Sequence, residues 1–459
     1  MLLSIRSLKF ITTCAVVGLM SSVFAPATFA QVPTLPAGVE IDPSGVLRMR
    51  TFADPGGKLA KQRIAEMRAA LDPNLARPSK LRKVSITRLE KAVAESIENG
   101  TGLTDDMKYL AGLTKLQYVF VYPETGDIVI AGPAEGYGQD ASGRAIGLTS
   151  GQSVMELQDL IVALRAFAPS GQSTSSIGCS IDPTQEGLQK MQQFLVDIAG
   201  RIQPGDADAV ANGLQENLGE QVVSIDGISP KTHFAQVLVE ADYRMKLIGI
   251  GLERPPVKIV SYVAKASPAA VAANAMERWY FVPEYEAVRV SEDAQAMELV
   301  GDSVKLIGEN EKVSRDGGRA SSGSVNRASQ AFVHSFTKRY AELAKRVPVY
   351  GQLRNLIDMS IATAFMQEQD YFGAVNWDLG VFNDEEALPV ETYQQPTSVE
   401  SAVNVVWKGN TLMTPIGGGV SIHPKQALTY DNLLEDEKGT VAKTYADVAS
   451  EEATNWWWD

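Results

Sequence analysis

Apolar residues recur along this chain with two different periods, and the periods mark out its elements. β-Branched and aromatic runs at 116–122 (LQYVFVY) and 127–131 (DIVIA) flank Pro123-Glu124-Thr125-Gly126, which predicts a β-hairpin. A smaller hairpin is predicted over 39–49, around Asp42-Pro43-Ser44-Gly45. Helical spacing appears at 58–71, at 86–99 with Ser85 as N-cap, and at 153–167 through Val154, Leu157, Leu160, Ile161 and Leu164. Asn99-Gly100 is a stop signal for the second of these helices.

A short internal echo follows. Ile177–Asp182 precedes Pro183 and a helix to about 199, and residues 222–226 precede Gly227-Ile228-Ser229-Pro230 and a helix to about 248. Both units read strand, Ser-Ile-Asp, turn and amphipathic helix. Strands alternating with helices of this length predict βαβ connections and a partly parallel sheet. Beyond Pro255-Pro256 the pattern changes to short antiparallel strands at 279–290, 296–300 and 303–307, then a Gly/Ser loop at 314–324. A helical hairpin is predicted from 325–346 and 349–366, with Phe332, Phe336, Tyr340 and Leu343 on one face of its first arm. The fold class is therefore α+β, partly α/β: a mixed sheet with flanking helices, antiparallel hairpins and a C-terminal helical hairpin.

The ends carry different information. Arg6 and Lys9 precede an uncharged, largely apolar stretch, and small residues close it at Ala25, Ala27, Thr28 and Ala30. That order predicts a cleaved secretory signal over 1–30 and an exported mature chain starting near Gln31. The apolar run is shorter than the roughly 20 residues that cross a bilayer core, and no later segment is long or apolar enough to span one. Residues 31–84 read as an N-terminal extension with a small hairpin and helix, and 85–371 as the core. Residues 372–430 read as irregular with one hairpin, 402–407 against 411–415. Residues 431–459, acidic and ending Trp456-Trp457-Trp458-Asp459, read as a disordered tail whose tryptophans are a candidate docking tag for a partner.

Charge and cysteine content narrow the function classes. Loss of residues 1–30 removes two basic residues and no acid, leaving 40 against 55 and a net charge of −15 instead of −13. A field of that sign opposes nucleic-acid binding. With Cys14 in the leader, only Cys179 remains, so no intrachain disulfide forms and stability must come from a full-sized core. The chain has no Gly-x-Ser-x-Gly elbow, His-Glu-x-x-His helix or Walker A loop, so no motif in it calls for a cofactor or a metal.

Several long segments also agree in order with a known family. LQYVFVYPETGDIVIAGPAEGY (116–137), GLTSGQSVMELQDLIVALRA (147–166), VLVEADYRMKLIGIGLE (237–253), RWYFVPEYEAVRVSEDAQAMEL (278–299) and YGQLRNLIDMSIATAFM (350–366) resemble exported planctomycete proteins of the domain-of-unknown-function 1598 family. The resemblance covers about 85–371. It implies export and a shared fold, and it supplies no catalytic or binding residue.

Three sets of residues are candidates for chemistry. If the two echo units share a parallel sheet, Asp182 and Asp226 fall at the carboxyl ends of strands, where open α/β sheets bind ligands. Two such carboxylates could hold a divalent metal or split general acid and base roles. Their plainer roles are helix capping before Pro183 and turn formation before Gly227. Cys179 could be a nucleophile served by His233, His334 or His423, or simply a small buried hydrophobe in an apolar strand. The glycine-rich stretch 132–151, with its six glycines, offers Tyr137 and Arg144 as binding residues on a long loop. The leading reading is an exported, non-catalytic binding or assembly protein with a protein or envelope partner. The alternative is an exported hydrolase using Asp182 and Asp226, or Cys179 with a histidine.

Overall fold

The computed structural model describes residues 35–459, apart from 53, 55–56, 141, 171–172, 199–200, 202–205, 267–274, 285, 314–318, 322–325, 405, 409–410, 414–417, 452 and 454. The leader predicted at 1–30 lies outside the described residues, as does much of the Gly/Ser loop at 314–324.

Two large mixed sheets and the helices packed on them build an α+β fold. The nine-stranded sheet runs, edge to edge, Leu35–Ile41, Val46–Phe52, Ser398–Glu400, Glu220–Asp226, Ile177–Pro183, Gly418–Ile422, Ala275–Pro283, Val304–Val313 and Arg319–Ser321. The seven-stranded sheet runs Leu434–Glu435, Val288–Val290, Ala296–Leu299, Tyr118–Tyr122, Asp127–Ala134, Ser79–Ser85 and Trp457–Trp458. One hydrophobic core joins them. Val119, Val121, Ile128 and Ile130 of the second sheet share it with Ile177, Ile181, Val223 and Phe281 of the first. The alternate residues Tyr118, Phe120 and Tyr122 face the other way, under the Thr440–Ala449 helix, as the period of two requires.

The hairpins form where turn chemistry places them: Leu35–Ile41 with Val46–Phe52, and Tyr118–Tyr122 with Asp127–Ala134. Ser85 caps the Ile86–Glu98 helix by accepting from the Arg88 N–H at 3.2 Å. The helical hairpin is Arg327–Arg346 followed by Pro348–Glu368. Its second arm is buried on every side from Val349 to Met366, against the Leu157–Ala166, His233–Ile250 and Arg327–Arg346 helices. It therefore lies in the middle of the fold, and its polar residues Gln352, Arg354, Asn355 and Asp358 are buried with it.

Two expectations require correction. The echo units are neighbours in one sheet, but their strands run antiparallel, with Gly178 opposite Asp226 and Asp182 opposite Val222. The intervening helices Gln185–Ile198 and Ala207–Leu218 pack on each other through Leu188, Met191, Leu214 and Leu218. This helical pair returns the chain beside its starting strand instead of carrying it across the sheet. The acidic tail is likewise ordered. Trp456 is buried in the main core, Trp457 and Trp458 pair with Val84 and Lys83, and the Thr440–Ala449 helix covers the second sheet. The tryptophans are thus taken up in the fold and do not extend from it as a free tail.

Candidate functional site

Three helices bring one polar cluster together. Glu156 is the N-cap of the Leu157–Ala166 helix and Asp159 stands in its first turn, three residues on and therefore on the same side. The apolar side of that turn, Leu157, Leu160 and Ile161, is buried in the core and orients the helix. His233 opens the His233–Ile250 helix, whose cap is Thr232, accepting from the Ala235 N–H at 3.2 Å. Gln352 comes from the buried Pro348–Glu368 helix.

His233 Nδ1 lies 2.9 and 3.1 Å from the two carboxylate oxygens of Asp159. Its Nε2 lies 3.9 Å from Glu156 Oε1 and 3.4 Å from Gln352 Nε2. Burial alone would push the imidazole pKa down, but the charges of Asp159 and Glu156 and the Asp159 hydrogen bond outweigh it and raise the pKa to about 9. Burial pushes the Glu156 carboxyl up, with His233 and Gln158 holding it back. Ligand atoms of Glu156, Asp159 and His233 all lie within 4.8 Å of one another, so these residues could hold a metal ion.

Glu156 alone of the cluster also lines a neighbouring cleft of about 470 Å³. Tyr109, Tyr393, Gln139 and Gln158 line it with Glu156 and Glu391, over Leu157, Ile161, Leu388, Pro389 and Val390. Gln158 Nε2 donates to Glu156 Oε2 at 2.7 Å and to the Tyr393 hydroxyl at 3.3 Å, and that hydroxyl donates to Glu391 at 3.0 Å. On the opposite wall Gln139 Nε2 donates to the Tyr109 hydroxyl at 2.8 Å. The irregular segment bearing Leu388–Tyr393 is held in place from below. Arg165 donates to the carbonyls of Phe382 at 2.7 Å and Leu388 at 2.9 Å, and the Tyr393 N–H donates to the Lys231 carbonyl at 2.8 Å. Glu156, Tyr393 and His233 also border a smaller cavity of about 150 Å³, shared with Arg144 and Glu240.

The structure places the predicted site residues elsewhere. With their strands antiparallel, Asp182 and Asp226 sit at opposite ends, roughly 13 Å apart along the strand direction at the usual rise per residue. Asp182 accepts from Arg278 Nη2 at 2.8 Å. Cys179 is buried, and burial raises its thiol well above the ordinary value, with Asp242 adding to that shift and Lys246 opposing it; no histidine is among its influences. His334 is exposed on its helix, and His423 Nε2 lies 3.0 Å from Ser421 Oγ. Tyr137 is buried with Ala145 and Val154, its ring 5.2 Å from that of Tyr109, and is closed to a ligand. Arg144 is engaged by the buried carboxylate of Glu240. The stretch carrying both is no open loop, since Tyr137–Gln139 pairs with Ala145–Gly147.

The residues that do converge were only partly visible in sequence. A Glu-x-x-Asp pair opening an apolar helix is a local signal, whereas its meeting with His233 and Gln352 spans 74 to 196 residues of chain and needs the fold. No curated protein and no solved structure matches the chain. Residues 179–262, the stretch from the Cys179 strand through the whole His233–Ile250 helix, match the model of one family, described as protein of unknown function (DUF1598).

Proposed function

We propose that this is an exported, non-catalytic binding protein and that its ligand sits in the cleft between Tyr109 and Tyr393. The composition of that cleft carries the reading: two tyrosines, two glutamine amides, two carboxylates and the Lys108 ammonium line it together with apolar side chains. Such walls suit a small polar ligand with one apolar face, because the rings and aliphatic side chains take its flat surface while the amides and carboxylates fix its orientation. The non-catalytic part is supported by the dispersal of the hydrolase candidates. Asp182 and Asp226 do not share a site, and a buried thiol with a raised pKa is a poor nucleophile. Export is supported by the charged, apolar and small-residue order of residues 1–30 and by the resemblance of 85–371 to exported planctomycete proteins.

The test is a thermal-shift panel of monosaccharides, amino acids and short peptides on the mature protein, repeated on Tyr393→Ala. A ligand that stabilises the parent and not the variant supports the cleft. One that stabilises both equally sinks the assignment, and turnover of any panel member overturns the non-catalytic reading. Cell fractionation with N-terminal sequencing tests export, which requires a chain beginning near Gln31 outside the cytoplasm.

A further inference from the structure

We propose that Glu156, His233 and Gln352 form a binding site for one divalent transition-metal ion, with Asp159 orienting the histidine. The site adjoins the cleft but does not rest on the cleft's having an organic ligand.

The spacing is the first argument. Donor atoms around a zinc-like ion with bonds of about 2.0–2.2 Å stand roughly 3–4 Å from one another. His233 Nε2 has the Glu156 carboxylate at 3.9 Å and the terminal amide of Gln352 at 3.4 Å. Both neighbours sit beyond a good hydrogen bond to that nitrogen, yet within the reach of a shared ion.

Gln352 supplies an independent observation. Its side chain is 3% exposed, and its Oε1 has no hydrogen-bond partner among the described residues. A buried amide oxygen rarely goes without a partner. The two ends of an amide occupy almost the same space, so a half-turn brings Oε1 to face His233 Nε2, where a cation would satisfy it. Asp159 supplies the third argument. By holding Nδ1 through both oxygens at 2.9 and 3.1 Å, it fixes one proton there and makes Nε2 the nitrogen from which an ion would displace the other. A carboxylate behind a coordinating imidazole is the usual outer partner of such a ligand.

The donor set selects the ion. One imidazole, one carboxylate and one amide oxygen, with no thiolate, suit Zn²⁺, Co²⁺ or Mn²⁺. They are too few and too nitrogenous for Ca²⁺, and a histidine is a poor ligand for Mg²⁺. Glu156 also borders the cleft, which leaves a side from which a further ligand or water can reach the ion.

The test uses the full mature chain, untagged and stripped with chelator, titrated with Zn²⁺ and Co²⁺ by calorimetry and by the Co²⁺ absorption spectrum. The expected result is one saturating equivalent with a Kd of about 1 μM, weaker than structural zinc sites with four protein ligands. Glu156→Gln and His233→Asn should each weaken binding at least tenfold, and Asp159→Asn about 10- to 100-fold at unchanged stoichiometry. His334→Asn, on an exposed helix face, should change nothing. Gln352→Glu replaces an amide by a carboxylate of the same size and should tighten binding. No saturable binding to the parent overturns the proposal. So does binding that survives both Glu156→Gln and His233→Asn, or a His233 ring that keeps both N–H protons in NMR spectra at one equivalent of Zn²⁺. If those variants fail to fold, the parent's Co²⁺ spectrum and stoichiometry, together with Gln352→Glu, decide the matter.

Discussion

The side chain of Asp459 holds the fully buried guanidinium of Arg82, accepting from Nε at 2.8 Å and from Nη2 at 2.7 Å. Four backbone carbonyls, of Leu75, Ala111, Asn74 and Arg77, take the remaining donors of Arg82. The ring of Trp457 lies over the same cation at 4.8 Å. Among the described residues Asp459 is the one ionic partner of this cation, and a buried charge left without its partner destabilises a fold by a few kcal/mol. Asp459→Ala is therefore expected to cost about 2 kcal/mol, since the carbonyls and the aromatic ring remain. Deleting residues 456–459 should cost more, because it also exposes the edge of Ser79–Ser85 and removes buried Trp456 from the core. Urea unfolding curves of the three proteins measure both effects. A truncated chain as stable as the parent would mean that the last strand contributes nothing.

Asp358 gives a pH dependence. It is wholly buried, and burial raises its pKa to about 6 against the pull of Lys115, Arg354 and the Ser303 hydroxyl. With a folded pKa above the ordinary 3.8, the group binds its proton more tightly when folded. Its contribution is fully present below pH 4 and is lost as pH rises from about 4 through 6. Asp242, also raised to about 6, adds a loss of the same sign. Asp358→Asn should then be more stable than the parent at pH 8 by about 1–2 kcal/mol, with the gain vanishing near pH 4. Denaturant titrations at pH 4, 6 and 8 test this, and a variant less stable at pH 8 contradicts it.

The thiol of Cys179 should be silent in the folded protein. It is 4% exposed, and its pKa is raised well above the ordinary value. A disulfide reagent at pH 8 is expected to leave it unmodified over hours and to react with one thiol per mature chain only after denaturation. Rapid labelling of the native protein would restore the nucleophile reading.

Gly249 marks a close helix contact in the core. A Cβ there would lie 2.4 and 2.8 Å from Trp279 ring carbons and 3.1 Å from Phe332. Trp279 is fully buried, edge-on to Phe332, with its indole N–H donating to Ser329 at 2.9 Å, so it has nowhere to yield. Alanine is the better helix former, yet Gly249→Ala should destabilise by about 1–3 kcal/mol through overpacking. A raised Tm would show that the indole shifts freely.

How much of this was legible beforehand depended on the range of each interaction. The Ser85 cap, the Pro123–Gly126 turn and the two arms of the helical hairpin lie in the sequence as neighbours, and they form where the pattern puts them. The strands after 279 were legible as strands, but not that they divide between two sheets. Val288–Val290 and Ala296–Leu299 join the Tyr118–Tyr122 hairpin, while Ala275–Pro283 and Val304–Val313 pair in the other sheet. Acidic composition pointed to disorder over 431–459. A few apolar anchors there, Val441, Val448 and Trp456, bury enough surface to order it once a sheet is present to receive them.

What the sequence by itself determined is the set of elements and their apolar faces, because periodicity, caps and turns act within a few residues. The tertiary structure alone decided which elements meet. It set the strands of Asp182 and Asp226 antiparallel and separated the two carboxylates. It also joined Glu156 and Asp159 to His233 and Gln352 across three helices. Those choices follow from burying one continuous core against two sheets. That burial is non-directional, gained by the whole chain at once, and leaves no mark on any short stretch of it.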